Sequence, residues 1–338
     1  MKRAGLRPAH QTAKTIAEGI LNGDRALLSR GITLIESSAT QHQAAAEQIL
    51  EACLPHSGNA VRVGITGIPG VGKSTFIDAL GTHLTHDRRE KVAVLAIDPS
   101  SPISGGSILG DKTRMPRLSV DPAAFIRPSP AGGSLGGVAR RTREAMILCE
   151  AAGFHNILVE TVGVGQSETA VASMVDFFLL LMLAGAGDEL QGMKRGIMEI
   201  TDLIAINKAD GDNRIASEAA RRQYESALKL FPPHASGWRQ PAVTCSSRGG
   251  EGISGIWKII GEHRQQMKQS GWLQKNRREQ ARRAMLETIR GALQDRFFAN
   301  EDVRRELPQL EAAVMDGRVS AYRAARELLA RFTEGNDR

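Results

Sequence analysis

Apolar residues along this chain follow two patterns, short continuous runs and longer stretches with helical spacing. The runs are rich in Val, Ile and Leu, which is typical of buried strands. They lie at residues 61–67, 92–98, 125–128, 157–163, 177–184, 203–207 and 243–246. Helical stretches separate most of them, and this alternation predicts an α/β domain with a mainly parallel sheet. Ligands of such a sheet bind at the carboxyl ends of its strands.

The N-terminal part of the chain shows helical spacing. Residues 11–55 carry Ile and Leu mostly at three- and four-residue steps, with a clear break at Gly23-Asp24. Such steps place the apolar side chains on one face of a helix. We therefore predict an N-terminal helical extension at 1–58, the α/β domain at 59–270 and a C-terminal helical arm at 271–338.

The C-terminal part is helical as well. A helix at 253–267 completes the α/β domain, and a long amphipathic helix at 273–298 precedes two shorter helices near 303–315 and 318–333. The long helix carries an apolar stripe, formed by Met285, Leu286, Ile289, Leu293 and Phe297. That stripe must be buried, either against the chain's own domain or in a dimer, and the periodicity leaves both possibilities open.

Composition narrows the possible classes of protein. The 44 basic and 37 acidic residues give a net charge of +7, but no aromatic residues interleave with the basic ones as in proteins that bind single-stranded nucleic acid. Solvated helix faces and phosphate loops explain the charge better. Cys53, Cys149 and Cys245 are far apart, which favours a reduced, cytoplasmic chain. The run at 177–184 is too short to span a bilayer, and the scattered His residues indicate no zinc or nickel site.

A phosphate-binding loop follows the first predicted strand. Residues 67–75 read G-I-P-G-V-G-K-S-T, which matches G-x-x-x-x-G-K-[ST] between a strand and a helix. The Gly residues let backbone N–H groups surround the phosphates, at the positive end of the following helix. Lys73 would reach the terminal phosphates, and the Ser74 hydroxyl would bind Mg²⁺. The nucleotide-binding residues predicted here are Gly67, Gly70, Val71, Gly72, Lys73, Ser74 and Thr75.

Three acids are candidates for the metal site besides Ser74. Asp98 ends the second predicted strand and precedes Pro99, and Asp111 lies in a polar, Gly-rich loop. Glu160 directly follows the apolar residues Ile157, Leu158 and Val159, at a point where many nucleotide hydrolases of this type carry Asp. Mg²⁺ binds to few carboxylates and keeps several waters. We therefore expect direct or water-mediated contacts to the metal rather than a crowded cage of acids.

A second motif predicts a guanine pocket. Asn207-Lys208-Ala209-Asp210 follows the strand at 203–207 and matches N-K-x-D. The Asp210 carboxylate can accept both guanine N1–H and the exocyclic amine, whereas adenine would leave it unpaired. Such a mismatch discriminates on the order of 10⁴-fold, so GTP is preferred over ATP. Ser246 and Ser247, after the last strand, suit the contact to guanine O6.

Taken together, these motifs resemble the cobalamin-mutase-associated GTPases, the MeaB and ArgK type in bacteria and the MMAA type in animals. The resemblance covers nearly the whole chain. It is carried, in order, by V-G-I-T-G-I-P-G-V-G-K-S-T, D-P-S-S-P, G-G-S-I-L-G-D-K-T-R-M, E-T-V-G-V-G-Q-S-E, G-D-E-L-Q-G-M-K-R-G and N-K-A-D. It implies a SIMIBI-class P-loop GTPase that forms homodimers through its C-terminal helices. It also implies a chaperone of adenosylcobalamin-dependent acyl-CoA mutases, which couples GTP binding and hydrolysis to cofactor loading and to protection or reactivation of the mutase.

The resemblance also assigns roles to residues. Asp98 and Asp111 belong to the first switch, and Glu160 belongs to the second, where the Gly163 backbone senses the γ-phosphate. The segment 187–196 resembles a further switch that responds to the mutase, and its candidate residues are Asp188, Glu189, Gln191 and Lys194. A capping loop would also explain these residues, but the density of charged groups beside the expected γ-phosphate cleft favours the switch.

The motifs contain no residue directly after D/E-x-x-G that would orient the attacking water. Val164 stands where a GTPase of this type often has Gln, and Gln166 follows two residues later. Without a built-in group, turnover of the isolated protein should be slow. Lys73, Glu160, Gln166 and Lys194 are the catalytic candidates, and the placement of Gln166 and Lys194 would depend on the bound mutase.

Three alternative functions each have some support in the sequence or the composition. A nucleotide-gated scaffold with negligible turnover would also lack the adjacent Gln. A metallochaperone GTPase would need a His-rich or Cys-paired metal site, which the sequence does not show. Nucleic-acid binding rests on the basic pI alone. Descriptions of the family as arginine-transport kinases fit less well, because nothing in the sequence provides a phosphoacceptor site.

Overall fold

The computed structural model describes residues 12–37, 39–98, 114–130, 135–161, 167–185, 195–232 and 234–336. The chain divides into two compact units, Met1–Gln280 and Ala281–Arg338. The first unit contains the sheet and the N-terminal helices, and the second contains the C-terminal helices. Each unit is described separately below.

A parallel sheet forms the centre of the first unit. Within the described ranges it has seven strands in the order β3-β2-β4-β1-β5-β6-β7, and every neighbouring pair is parallel. The strands are β1 (Val61–Gly67), β2 (Val92–Asp98), β3 (Ala124–Pro130), β4 (Asn156–Thr161), β5 (Phe177–Leu183), β6 (Leu203–Asn207) and β7 (Ala242–Thr244). All seven predicted runs contain a strand, and the predicted α/β fold with a parallel sheet is confirmed.

Helices flank the sheet and form the ends of the chain. In the part of the chain that the structure describes they are α1 (Ala13–Leu21), α2 (Arg25–Glu36), α3 (Thr40–Cys53), α4 (Lys73–Thr82), α5 (Leu135–Ala151), α6 (Ser167–Ala172), α7 (Arg195–Ile200), α8 (Arg214–Leu228), α9 (Ile253–Gln269), α10 (Trp272–Ala299), α11 (Glu301–Met315) and α12 (Ala321–Asn336). Among these described helices, none is long and apolar enough to cross a membrane.

The N-terminal helices pack into the core of the first unit. Asp24 begins α2 by accepting hydrogen bonds from the backbone of Ala26 and Leu27, as an N-cap residue does. The apolar faces of α1, α2 and α3 lie in one buried cluster with α5 and with alternate residues of β2 and β4. This cluster includes Ile16, Ile20, Leu28, Ile32, Ile49, Leu95 and Val159. The helices therefore cover one face of the sheet.

The opposite face of the sheet is covered by α4 and α9. The strand residues that point to this side alternate with those of the first cluster, as the two-residue period of a strand requires. The buried cluster here includes Val63, Ile65, Val94, Phe76, Leu80, Ile256 and Ile260. A third cluster joins β5 and β6 to α8 through Leu180, Ile204 and Tyr224. Since both faces are buried, the strands read as continuous apolar runs in the sequence.

The second unit is a helical assembly at the end of the chain. The Phe297 ring, near the end of α10, lies 5.4 Å from the ring of Phe332 on α12. Val303 and Leu328 are buried between α11 and α12. Further back on α10, Met285, Ile289 and Leu293 remain 55%, 47% and 54% exposed. Part of the predicted apolar stripe is therefore open within this unit.

Within the first unit, an arginine in the first part of α10 pairs with an acid that precedes β5. Arg277 donates to both carboxylate oxygens of Asp176, at 2.8 and 2.6 Å, and to the backbone carbonyl of Ala60. The exposed fractions of the Arg277 and Asp176 side chains are 16% and 6%. The backbone N–H of Arg62 donates to the same Asp176 carboxylate. The pair thus connects α10, the start of β1 and the segment before β5.

We expect Arg277→Ala to lower the free energy of unfolding by about 3 kcal/mol, because it leaves the buried Asp176 carboxylate without its bidentate partner. Urea denaturation followed by circular dichroism measures this change. The neighbouring Arg278 is exposed, so Arg278→Ala is the matched control and should change stability little. Equal effects of the two substitutions would show that the pair does not hold the helix.

Candidate functional site

The phosphate loop connects β1 to α4 at the carboxyl edge of the sheet. At Gly67, a Cβ atom would lie 2.5 Å from the backbone oxygen of Leu181 on the neighbouring strand. Gly72 has a φ of 95°, and a Cβ atom there would lie 3.0 Å from the side-chain nitrogen of Asn207. Neither position leaves space for a side chain without displacing a neighbour. The loop therefore packs closely against both β5 and the start of the N-K-A-D segment.

Lys73 begins α4 and is buried at the base of this loop. Its ammonium group donates to the backbone oxygens of Gly67, at 2.7 Å, and Ile68, at 3.1 Å. Burial lowers the pKa of Lys73, and the negative charges of Glu160 and Glu168 act in the opposite direction. The positive charge is thus held beside the loop whose N–H groups would surround a phosphate.

Ser74 and Glu160 form the contact between α4 and the end of β4. The Ser74 hydroxyl donates to Glu160 Oε1 at 3.0 Å. Both are hard oxygen ligands, which fit Mg²⁺. Within the described residues, no group of three or more His, Cys, Asp or Glu side chains could hold a metal ion. A site at Ser74 and Glu160 would therefore depend on waters, on phosphate oxygens or on acids outside the described residues.

Asp98 ends β2, the strand that lies next to β4 and its Glu160. β2 pairs with β4 in the register Ala96 to Glu160, so Asp98 ends β2 two residues further along, at the same edge. The structure describes its backbone, while its side chain lies outside the described residues. The sheet thus brings the predicted Asp98 and Glu160 positions to neighbouring strand ends.

Asn207 links the N-K-A-D segment to the phosphate loop. Its buried side-chain amide donates to the backbone oxygen of Val71 at 2.8 Å. Its Oδ1 atom accepts from the backbone and the hydroxyl group of Ser247, at 3.1 and 2.7 Å. One side chain therefore joins three segments, the phosphate loop, the end of β6 and the turn after β7.

Lys208 and Asp210 complete the second loop. Lys208 has a φ of 59°, a left-handed conformation that non-Gly residues seldom adopt, and its ammonium donates to the Gly70 oxygen at 2.9 Å. The Asp210 carboxylate accepts a short hydrogen bond from the Ser246 hydroxyl. Ser246 itself is buried. The predicted guanine-reading residues are thus brought together beside the phosphate loop.

Glu168, the last residue of E-T-V-G-V-G-Q-S-E, lies near this site although the sequence analysis gave it no role. It lies in the first turn of α6 and is 3% exposed. Its charge acts on Lys73 together with that of Glu160. In the sequence, Glu168 is only an acid in the first turn of a helix. Acids are common there because they interact favourably with the helix dipole, so the position alone does not indicate a site.

Several predicted site residues lie outside the described residues. They are Asp111 of the first switch, Gly163 and Gln166 of the second, and Asp188, Glu189, Gln191 and Lys194 of the further switch. Thr75 is placed in the first turn of α4 and Val71 is buried in the phosphate loop. The phosphate loop, the N-K-A-D segment and Glu160 are therefore the parts of the site whose geometry the structure gives.

Residues 28–302 match the model of the family described as "Methylmalonyl Co-A mutase-associated GTPase MeaB". The chain belongs to this family. It is accordingly a P-loop GTPase, which confirms the predicted fold family and enzyme class. The match includes the phosphate loop, Glu160 and the N-K-A-D segment, the elements that converge at the carboxyl edge of the sheet.

Individual relatives are similar over nearly the whole chain. A probable GTPase of Mycobacterium tuberculosis (strain ATCC 25618 / H37Rv) is 50% identical over 318 residues, 94% of each chain. GTPase ArgK of Escherichia coli (strain K12) is 48% identical, over 93% of this chain and 96% of its own. The mitochondrial methylmalonic aciduria type A homolog of Mus musculus is 45% identical, over 93% and 78%.

A solved structure has the same fold. It is a protein titled LAO/AO transport system kinase, which is 39% identical, with a TM-score of 0.76. The similarity covers 98% of this chain and 100% of that one. The fold of this chain, including its helical ends, is therefore shared with a protein described under a different activity.

We expect Asn207→Asp to weaken GDP binding by about tenfold to a hundredfold. A carboxylate at this position can still accept from Ser247 but faces the Val71 oxygen with no hydrogen to donate. Fluorescence titration with a labelled GDP measures the loss. Asn22→Asp, the same substitution at an exposed position on the α1 side of the molecule, is the control. Unchanged affinity of Asn207→Asp would show that the link between the loops does not shape the pocket.

Proposed function

We propose that this GTPase is a chaperone for an adenosylcobalamin-dependent acyl-CoA mutase, such as methylmalonyl-CoA mutase, and that it couples GTP binding and hydrolysis to cofactor loading and to protection or reactivation of the mutase. The observation that carries the proposal is the joined phosphate and N-K-A-D loops in a chain of the MeaB family. The description of this family names methylmalonyl-CoA mutase as the associated protein. The name of the mouse relative refers to methylmalonic aciduria.

The residues at the carboxyl edge of the sheet would divide the work as follows. Lys73, with the backbone of the loop from Gly67 to Gly72, would bind the phosphates. Asn207 would hold the base loop in place, while Asp210, Ser246 and Ser247 would select guanine. Ser74 and Glu160, with Asp98 and Asp111, would hold Mg²⁺, which supplies neutralisation of charge on the phosphates.

The attacking water is activated with the help of the bound mutase. Glu160 accepts from the Ser74 hydroxyl through Oε1, which supports a role beside the metal. Gln166 and Lys194 are the proposed candidates, with the further switch around Asp188, Glu189 and Gln191 responding to the mutase. We propose that hydrolysis is slow in the isolated protein and that the mutase accelerates it by ordering these segments.

We also propose that the protein acts in the cytoplasm as a homodimer, joined through the C-terminal arm. The support for the dimer is the apolar face of α10, where Met285, Ile289 and Leu293 recur every four residues and are about half exposed within their unit. Such a face is stabilised when a second copy covers it. The support for a reducing compartment is that the three cysteines are buried, free thiols.

The central experiment measures GTP hydrolysis with and without purified methylmalonyl-CoA mutase. We expect a slow basal rate and an acceleration by the mutase of about a hundredfold, the range of one added charge at the transition state. Lys73→Ala should remove hydrolysis in both conditions, whereas Lys229→Ala, at an exposed lysine, should not. A rate that no mutase changes would favour a nucleotide-gated scaffold with negligible turnover.

Base selection is tested separately with Asp210→Asn. The amide can donate to a xanthine oxygen but no longer accepts both guanine hydrogens, so we expect preference to move from GTP to XTP by at least about tenfold. Competition binding with GDP and XDP measures the change. Asp212→Asn, at an exposed acid two residues away, should leave GDP preferred. Preference for GDP in Asp210→Asn would contradict the assignment of the pocket.

A further inference from the structure

A cavity of about 460 Å³ opens at the edge of the sheet where the strands begin. It lies between the starts of β1 and β4, the turn after α4 and one side of α9. Its lining includes Asn59, Arg88, Arg89, His155, Trp257 and Arg264. β1 runs from Val61 at this cavity to Gly67 at the phosphate loop. Six steps of about 3.3 Å separate the two sites by about 20 Å, so the cavity is not part of the proposed GTP site.

The backbone that carries two of the arginines has an uncommon conformation. α4 continues into a π-helical turn at His83–Asp87, and Arg89 then has a φ of 58°. π-turns and left-handed non-Gly residues are rare, and they concentrate at functional positions. Their combined effect is to place Arg88 and Arg89 side by side at the cavity. In the part of the chain that the structure describes, Arg89 makes no side-chain hydrogen bond or ion pair.

The third arginine comes from α9 and is only partly satisfied. Arg264 Nη2 donates to the backbone oxygen of Asn59. Its Nε atom is buried without a hydrogen-bond partner among the described residues. Burial lowers the pKa of Arg264, while the charges of Asp176, Glu150 and Glu90 raise it and that of Arg277 lowers it. A desolvated guanidinium with unused donors is an energetically costly group.

The acid in the cavity, Glu90, makes its hydrogen bonds to groups other than Arg89 and Arg264. Glu90 accepts from Arg88 Nε at 3.3 Å and from the Asn156 amide at 2.8 Å. Both of its oxygens are therefore engaged, and Arg89 and Arg264 are left facing the cavity without a carboxylate partner in it. Guanidinium groups bind phosphate oxygens in pairs of parallel hydrogen bonds. The charge of the cavity thus favours an anion.

Apolar residues also line the cavity, among them Trp257 and Ile260. Trp257 is half-buried and lies one helical turn from the buried Ile260. The cavity has the volume of sites that bind small molecules, and most of the residues that line it are polar or charged. An indole face also stacks well on a flat ring.

We propose that this cavity binds a small phosphorylated ligand that carries a flat ring, with its phosphate between Arg89 and Arg264 and its ring against Trp257. The site is separate from the proposed GTP pocket, and its occupation does not depend on the mutase. The phosphate loop and this site are joined by α4, which begins at Lys73 and leads through the π-turn to Arg88.

The test uses the full-length protein saturated with GDP and Mg²⁺, so that the phosphate loop is blocked. AMP and inorganic phosphate are the probes, measured by isothermal titration calorimetry. We expect AMP to bind with one site per chain and at least about tenfold more tightly than phosphate. Arg264→Gln and Arg89→Asn should each weaken AMP binding by about tenfold or more. Asn tolerates the left-handed backbone at position 89, so this variant removes the charge without adding strain.

Two controls distinguish a built site from general charge attraction. Arg222→Ala removes an exposed arginine on α8 and should leave AMP binding unchanged. Trp257→Leu should weaken the binding of AMP but not that of phosphate. Absence of AMP binding in the GDP-saturated protein would overturn the proposal. Binding that Arg264→Gln and Arg89→Asn leave intact would overturn it as well, and equal affinity for AMP and phosphate would overturn the role of the ring.

Discussion

A single buried amide, that of Asn207, determines how the nucleotide-facing parts of the chain are arranged. It donates to the phosphate loop at Val71 and accepts from Ser247 in the turn after β7. The amide is buried, so each of these hydrogen bonds would be costly to leave unmade. The phosphate loop and the base loop are therefore positioned by the same group, and neither can move far without exposing an unpaired polar atom.

The parallel sheet places the Asn207 amide at the same edge as the phosphate loop. Because every strand of the described sheet runs in the same direction, Gly67, Asp98, Glu160 and Asn207 all stand at or near carboxyl ends. Both faces of the sheet are covered by helices, and the residues in the middle of its strands are accordingly mostly apolar. Polar residues at the strand ends then mark the edge at which ligands can bind.

The sequence predicted the strands, the two nucleotide motifs and the family, because each depends on local spacing. It could not predict what covers each apolar face. The Ile residues of α1 and α2 were recognised as helical, but periodicity alone does not tell that Ile16 and Ile32 share a core with Leu95 and Val159. Glu168 was missed for a related reason: its sequence position explains a helix start, and its proximity to Lys73 arises only from packing.

Similarly, no local sequence pattern predicts the cavity at the edge of the sheet where the strands begin. Arginine is not a residue type that favours a left-handed backbone, so the sequence does not predict the conformation of Arg89. In the sequence, Arg264 is one of many basic residues on a helix. Their common cavity results from two segments that are distant in the sequence. Solvated helix faces and phosphate loops therefore do not explain all of the basic residues. Some of them line this cavity.

The choice of Glu rather than Asp at position 160 follows from the distance that its side chain must cover. Its carboxylate reaches the Ser74 hydroxyl at 3.0 Å. An Asp on the same backbone would be shorter by one carbon–carbon bond, about 1.5 Å, and would leave the hydroxyl beyond hydrogen-bonding distance. The longer acid therefore connects the end of β4 directly to the first turn of α4. A ligand that draws the Ser74 hydroxyl away must break this contact between β4 and α4.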